Sequence, residues 1–267
     1  MNAECKKRFF GVCLSAALSF ALSHDAMADW RQVDYIVDSF LEIALKNEYS
    51  NKGWMIRKWS ADGIRYRYIH HVADHRLHEE LAELHLQQLQ DITGLPIKPV
   101  ESSQQADLTI VFSWEGSLKE DLRRYFGMRS AKQREYFFRH SVCLGSFSTN
   151  AAGVMQKAVV IIPVDRARGR AKLLACVVEE LTQVLGLPND SERVSPSIFN
   201  DRSINQLLTG LDYILLKILY DPALSPGMGR REAKPVVRTI VERFMRNGLV
   251  DQAFDKVQRG GLYSLVK

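Results

Sequence analysis

Apolar residues recur along this chain with two different periods. Val33, Ile36, Val37, Phe40, Ile43 and Ala44 stand three or four apart, which predicts a helix over residues 30–45, and polar breakers from Asn47 to Gly53 end it. Ile64-Arg65-Tyr66-Arg67-Tyr68-Ile69 alternates with period two, as a strand with one buried face does. Helical spacing returns over 73–93, with Leu77, Leu81, Leu84 and Ile92 on one side and Gly94 as the stop. Short apolar runs predict strands at 95–100 and 107–112, and Ala158-Val159-Val160-Ile161-Ile162 predicts a central strand within 153–163. Residues 171–185 form the next predicted helix, ended by Gly186 and Pro188. Thr209 and Asp212 make a capping box for a helix over 210–220, and Pro235 opens a last helical stretch broken at Asn247-Gly248. Helix, strand, helix, three strands and then helices alone predict an α+β fold with one mixed sheet and a helical C-terminal part.

The first 28 residues read differently. Lys6, Lys7 and Arg8 precede a short apolar run, and Ala26-Met27-Ala28 matches the small-x-small rule of a secretory signal. Cleavage after Ala28 implies a periplasmic or secreted protein, and no later apolar stretch is long enough to predict a membrane span. Of the 4 cysteines in 267 residues, Cys143 and Cys176 lie outside this segment. In an oxidising compartment they are most simply a disulfide, the rival being a reactive Cys143 with His140 three residues before it. The net charge of +5 comes from 36 basic and 31 acidic residues, interspersed rather than massed. With no basic stripe and no zinc-knuckle spacing, nucleic acid is not an expected partner.

Candidate chemistry concentrates in Glu179-Glu180-Leu181-Thr182-Gln183-Val184-Leu185-Gly186-Leu187-Pro188-Asn189-Asp190. The frame resembles the metzincin zinc-protease signature H-E-x-x-H-x-x-G-x-x-H, with Ser197-Ile198-Phe199-Asn200 where such proteins have their Met-turn. At the three ligand positions stand Glu179, Gln183 and Asn189, and Phe199 replaces the Met. Neutral amides are weak zinc ligands, so no metal and no other cofactor is expected, and only Glu180 keeps its role as general base. Residues 176–187, Asn189-Asp190-Ser191, 197–201, Leu219-Tyr220-Asp221-Pro222 and Pro226-Gly227-Met228 resemble a second family more closely. This is the domain-of-unknown-function 2927 family, whose members are exported proteobacterial proteins without an established activity.

The resemblance implies a zincin-like domain over 53–225 with a degenerate HExxH helix, an N-terminal helix over 29–52 and a helical extension over 226–267. It also implies a pseudoenzyme in which Asn189, Asp190 and Phe199 contribute to binding a peptide or cell-envelope polymer. Strand addition along 107–112 is the expected mode. The alternative is a metal-independent, peptidase-like hydrolase with Glu180 as general base, Gln183 as polariser and Glu179 raising the carboxyl pKa. The bland reading makes all three the solvated face of an amphipathic helix. A docking role for the tail over 235–258 is a third reading. His71, His75 and His78 form a stripe able to bind a transition metal, on a helix expected behind the sheet and away from the cleft. Asn189-Asp190-Ser191-Glu192 with Asp201 is acidic enough for Ca²⁺ but lacks EF-hand spacing.

Overall fold

The structure, a computed structural model, describes residues 30–46, 54–101 and 104–266. The signal segment and its cleavage site lie outside the described residues. Five strands form one mixed sheet: β1 (Ile64–His70), β2 (Ile97–Pro99), β3 (Leu108–Ser113), β4 (Leu144–Thr149) and β5 (Met155–Pro163), in the order β2-β1-β3-β5-β4. Pairings β1–β2, β1–β3 and β3–β5 are parallel, and β4 joins β5 antiparallel at one edge. The α+β architecture with a mixed sheet therefore stands. The strand absent from the sequence expectation is β4, whose Leu-Gly-Ser-Phe-Ser-Thr carries too few apolar side chains to signal a strand.

Nearly every side chain of β3 is buried, as in a strand covered on both faces. Its two neighbours also occupy both of its backbone edges, β1 from Tyr66 to His70 and β5 from Ala158 to Pro163. Strand addition along 107–112 is thus ruled out, because no backbone group of that segment faces outward for a ligand to pair with. The sheet ends instead at β2 and β4.

One face of the sheet carries the main core. Helices α1 (Val33–Leu45), α2 (His75–Thr93), α6 (Leu173–Gln183), α7 (Gly210–Leu219), α8 (Arg230–Arg246) and α9 (Leu249–Val257) all contribute to it. The other face carries a smaller cluster, Val111, Leu118, Leu122, Leu144 and Ile161, covered by α3 (Leu118–Tyr125) and α4 (Ala131–His140). A short α5 (Val164–Gly169) leads from β5 into α6. Gly94 takes φ 74° as the C-cap of α2, and Thr209 and Asp212 form the expected capping box of α7. Pro235 does not open α8. The helix starts five residues earlier, where Glu232 Oε2 accepts the Gly229 N–H at 3.1 Å, and Pro235 lies inside it. No helix among the described residues is long and apolar enough to cross a membrane.

The helix α2 lies beside α6, joined to it by buried polar groups. Thr182 Oγ1 donates to the Val178 carbonyl at 2.5 Å, so its remaining partner, His85 Nε2 at 3.0 Å, is a donor. Complete burial pushes the His85 imidazole down to about 4. The unfolded chain takes up this proton from about pH 6.5 downward, whereas the folded protein resists until about 4. Stability is therefore full above that range and falls as the pH drops through it, by about 3 kcal/mol in all. Urea unfolding of wild type and His85→Gln at pH 7.5 and 4.5 checks this. The variant loses the extra acid sensitivity, and equal slopes contradict the assignment. The difference isolates His85, because the buried Asp212 carboxyl, pushed up to about 6, titrates alike in both.

Candidate functional site

The helix α6 buries Ala175, Cys176, Val177, Val178 and Leu181, which turns Glu179, Glu180 and Gln183 to its other side. That side is not a solvated surface. Glu180 is only 6% exposed, and Glu179 and Gln183 are half-buried. The covering element is the start of β4, which approaches closely at Gly145: a Cβ there would stand 2.9 Å from Glu180 Oε2, which would have to move aside. A disulfide between Cys143 and Cys176 ties the same two elements together across a sequence separation of 33.

Beyond Gln183 the chain must turn sharply. Trp59 Nε1 donates to the Val184 carbonyl at 2.9 Å, and the Tyr220 hydroxyl donates to the Leu185 carbonyl at 2.8 Å, satisfying acceptors at the helix end. Gly186 takes φ 120° with the Arg57 carbonyl oxygen 2.0 Å from where a Cβ would be, so only glycine fits. The chain then returns beneath α6, and Gln183 Nε2 donates to Asp190 Oδ1 at 2.9 Å. Asn200 Nδ2 donates to the Val194 carbonyl at 3.0 Å, holding the loop that brings Asp201 to the rim.

The result is a cleft of about 140 Å³ with three sides. His140, Ser141, Val142 and Cys143 form one wall. Lys172, Cys176, Glu179, Glu180 and Gln183 form the floor, and Asp190 and Asp201 the far wall. Carboxylate oxygens of Glu179, Asp190 and Asp201 lie within 4.8 Å of one another. Such an oxygen set suits an ammonium, a guanidinium or a hard cation such as Ca²⁺.

The metzincin frame does not make a zinc site here. Gln183 directs its amide nitrogen to Asp190, and Asn189 directs its own to the carbonyls of Glu42 (3.2 Å) and Asp190 (2.9 Å). These groups do not converge on one ion. Asn189 is 7% exposed and does not line the cleft, and Phe199 is fully buried in the main core. Asp190, one position later, supplies the polar group that the frame puts at Asn189. Among the sequence-derived residues, Glu179, Glu180, Gln183, Asp190 and both cysteines meet at the cleft. Lys172, Ser141 and Gly145 carried no motif that could have flagged them.

The histidine stripe is differently composed from its helical expectation. His71 precedes α2 and bonds the Tyr125 hydroxyl at 2.9 Å, so it does not join His75 and His78. His70, at the end of β1, takes that place and stacks on His75 with ring centroids 4.1 Å apart. A larger cavity of about 650 Å³ lies between α1 and α8, but Glu42 on its wall is paired with Lys46 and Arg193 at 2.6 Å each.

Replacing Cys143 and Cys176 together by Ala removes the closed loop and lowers the unfolding free energy by about 3 kcal/mol, read from urea denaturation. An unchanged midpoint contradicts a structural role for the bridge. Comparison with curated proteins finds no match. Residues 33–239, reaching from α1 into α8, match the family described as "Protein of unknown function (DUF2927)". With the match spanning the sheet, α6 and the cleft walls alike, the chain belongs to that family.

Proposed function

We propose that this is an exported, metzincin-like binding protein without zinc chemistry, whose cleft takes one cationic group of an extended peptide or cell-envelope polymer. The observation that carries the reading is the convergence of Glu179, Asp190 and Asp201 within 4.8 Å at the end of an edge strand. Glu179, Glu180, Asp190 and Asp201 line this cleft together with Lys172, and carboxylates gathered in a cleft favour a cationic group. The volume, about 140 Å³, is below the range of roughly 300–1,000 Å³ typical of pockets that enclose a whole small molecule. It suits the head of one lysine, arginine or amino-sugar residue, while the rest of the chain runs along β4. The outward side chains of β4, Ser146 and Ser148, are exposed, and β5 occupies only one of its edges. The metzincin likeness is supported by the turn at Gly186 following a helix that carries a buried Glu180.

Titration calorimetry with an extended peptide carrying a central Lys, against its Glu counterpart, tests the reading. The Lys peptide binds more tightly, and Glu179→Gln or Asp201→Asn weakens it about tenfold, equivalent to about 1.4 kcal/mol. Equal affinity for both peptides contradicts it. Stoichiometric Ca²⁺ binding that abolishes peptide binding makes this a hard-cation site instead.

A second reading, metal-independent hydrolysis, is favoured by Glu180 and Gln183 lining the same cleft with Glu180 almost wholly buried. One amide hydrogen of Gln183 is engaged by Asp190, leaving the other to polarise a carbonyl. In this reading Glu180→Gln abolishes turnover of a bound peptide, followed by mass spectrometry, while binding persists. Peptide that stays intact with wild-type protein excludes the reading.

A further inference from the structure

Helix α1 turns one polar stripe outward. Asp34 and Asp38 are exposed and Glu42 and Lys46 half-buried, at intervals of four residues, while Ile36, Val37, Phe40, Leu41 and Ile43 are fully buried. The stripe lines the cavity of about 650 Å³ between α1 and α8. That volume lies within the range of roughly 300–1,000 Å³ typical of pockets that enclose a small molecule.

The surroundings of this cavity are held in place. On one side the Ser195 N–H donates to the Tyr35 hydroxyl at 2.8 Å, and Arg193 pairs with Glu42 at 2.6 Å, which pins the 193–195 loop to α1. On the other, Arg238 pairs with Asp34, and Lys234 with Asp38 at 3.3 Å, so α8 runs antiparallel to α1. Trp54 also lines the cavity and is 45% exposed. The residues after it fix it beside the start of α8: Met55 bridges Gly229, and the Ile56 N–H donates to the Met228 carbonyl at 2.9 Å.

Among the lining residues, Asp34, Asp38 and Glu42 face Lys46, Arg193 and Arg230. Three charges of each sign leave no net charge to select an ion. What the cavity offers is donors and acceptors side by side. The Arg230 guanidinium lies 4.0 Å from Asp38 Oδ1, beyond hydrogen-bond distance, so a group set between them can accept from one and donate to the other. A hydroxyl does both with a single atom. The indole of Trp54 adds an apolar face whose negative π cloud attracts weakly positive C–H groups. Hydroxyls around the rim of an apolar C–H face describe a sugar ring.

We propose that this cavity binds a neutral oligosaccharide, stacked on Trp54 and hydrogen-bonded between Asp38 and Arg230. The site shares no lining residue with the α6 cleft, and the proposal does not rest on the reading of that cleft.

The test is titration calorimetry of the full chain with maltotriose, cellotriose and triacetylchitotriose, with trigalacturonate as an anionic counterpart. At least one neutral trisaccharide binds with a Kd below about 10 mM. Its affinity changes by less than about twofold between about 50 and 500 mM NaCl, because the charges of the cavity are matched. Trp54→Ala weakens binding about tenfold, and Arg230→Gln does the same, which keeps the test decisive if Trp54→Ala does not fold. Backbone amide shifts with the bound trisaccharide centre on residues 34–46, 54, 193–194 and 230. Failure of all three neutral trisaccharides to bind overturns the proposal, as does tighter binding of trigalacturonate. Unchanged affinity in the folded variants, or shifts centred on residues 172–183 of the α6 cleft, overturns it too.

Discussion

Helix α6 lies close against the edge strand β4 at Gly145, and the cleft is built on this approach. A Cβ there would stand 2.9 Å from Glu180 Oε2 and 3.1 Å from Val184 Cγ1. This approach buries Glu180, sets Glu179 and Gln183 at the strand's opening rather than in open solvent, and brings Cys176 within bonding distance of Cys143. The disulfide then fixes this approach. Everything on the far wall depends on a second close approach, that of Gly186 to the Arg57 carbonyl. Without that turn Asp190 would not come back beneath Gln183, and the carboxylates would be spread along a loop. Two close approaches at glycines thus shape the cleft, and at Gly186 a side chain could not be accommodated.

The two sides of α6 divide the work. Its apolar side is continuous with a core built from α1, α2, α7, α8 and α9, which makes the helix a rigid support. Its polar side brings Glu179 and Glu180 to a cleft that Lys172, Asp190 and Asp201 also line. Several other acidic side chains form ion pairs: Glu42 with Lys46 and Arg193, Asp107 with Arg65, Glu135 with Lys119 and Arg139. Matched exposed pairs add little to stability and leave little field.

Much of this was legible in the sequence because periodicity reports burial. The alternation in β1, the apolar run in β5 and the helical spacing of α1, α2, α6 and α7 each reflect a face turned to the core. What escaped was exposed or short. The strand β4 hides behind Gly145 and two serines, and α4 has no buried residue to give it a face. At the site, the motif frame located α6 and its turn correctly in sequence but assigned the third cleft position to Asn189, whose amide is occupied by backbone carbonyls. It assigned Phe199 to binding, although an aromatic at that place fills the core. A pattern of spacings cannot say which of two adjacent residues faces the cleft, because a loop has no fixed period. The expected strand addition at 107–112 failed for a related reason: strand order is a long-range property, and an apolar run does not reveal whether its edges are free.

Backbone amide shift mapping is the most direct measurement of where a cationic ligand sits. With a Lys-containing extended peptide added to the full chain, the account predicts shifts confined to residues 140–149, 172–183, 190 and 201. Shifts centred instead on the larger cavity between α1 and α8, around Asp34, Asp38 and Arg230, would contradict the assignment of the α6 cleft as the binding site.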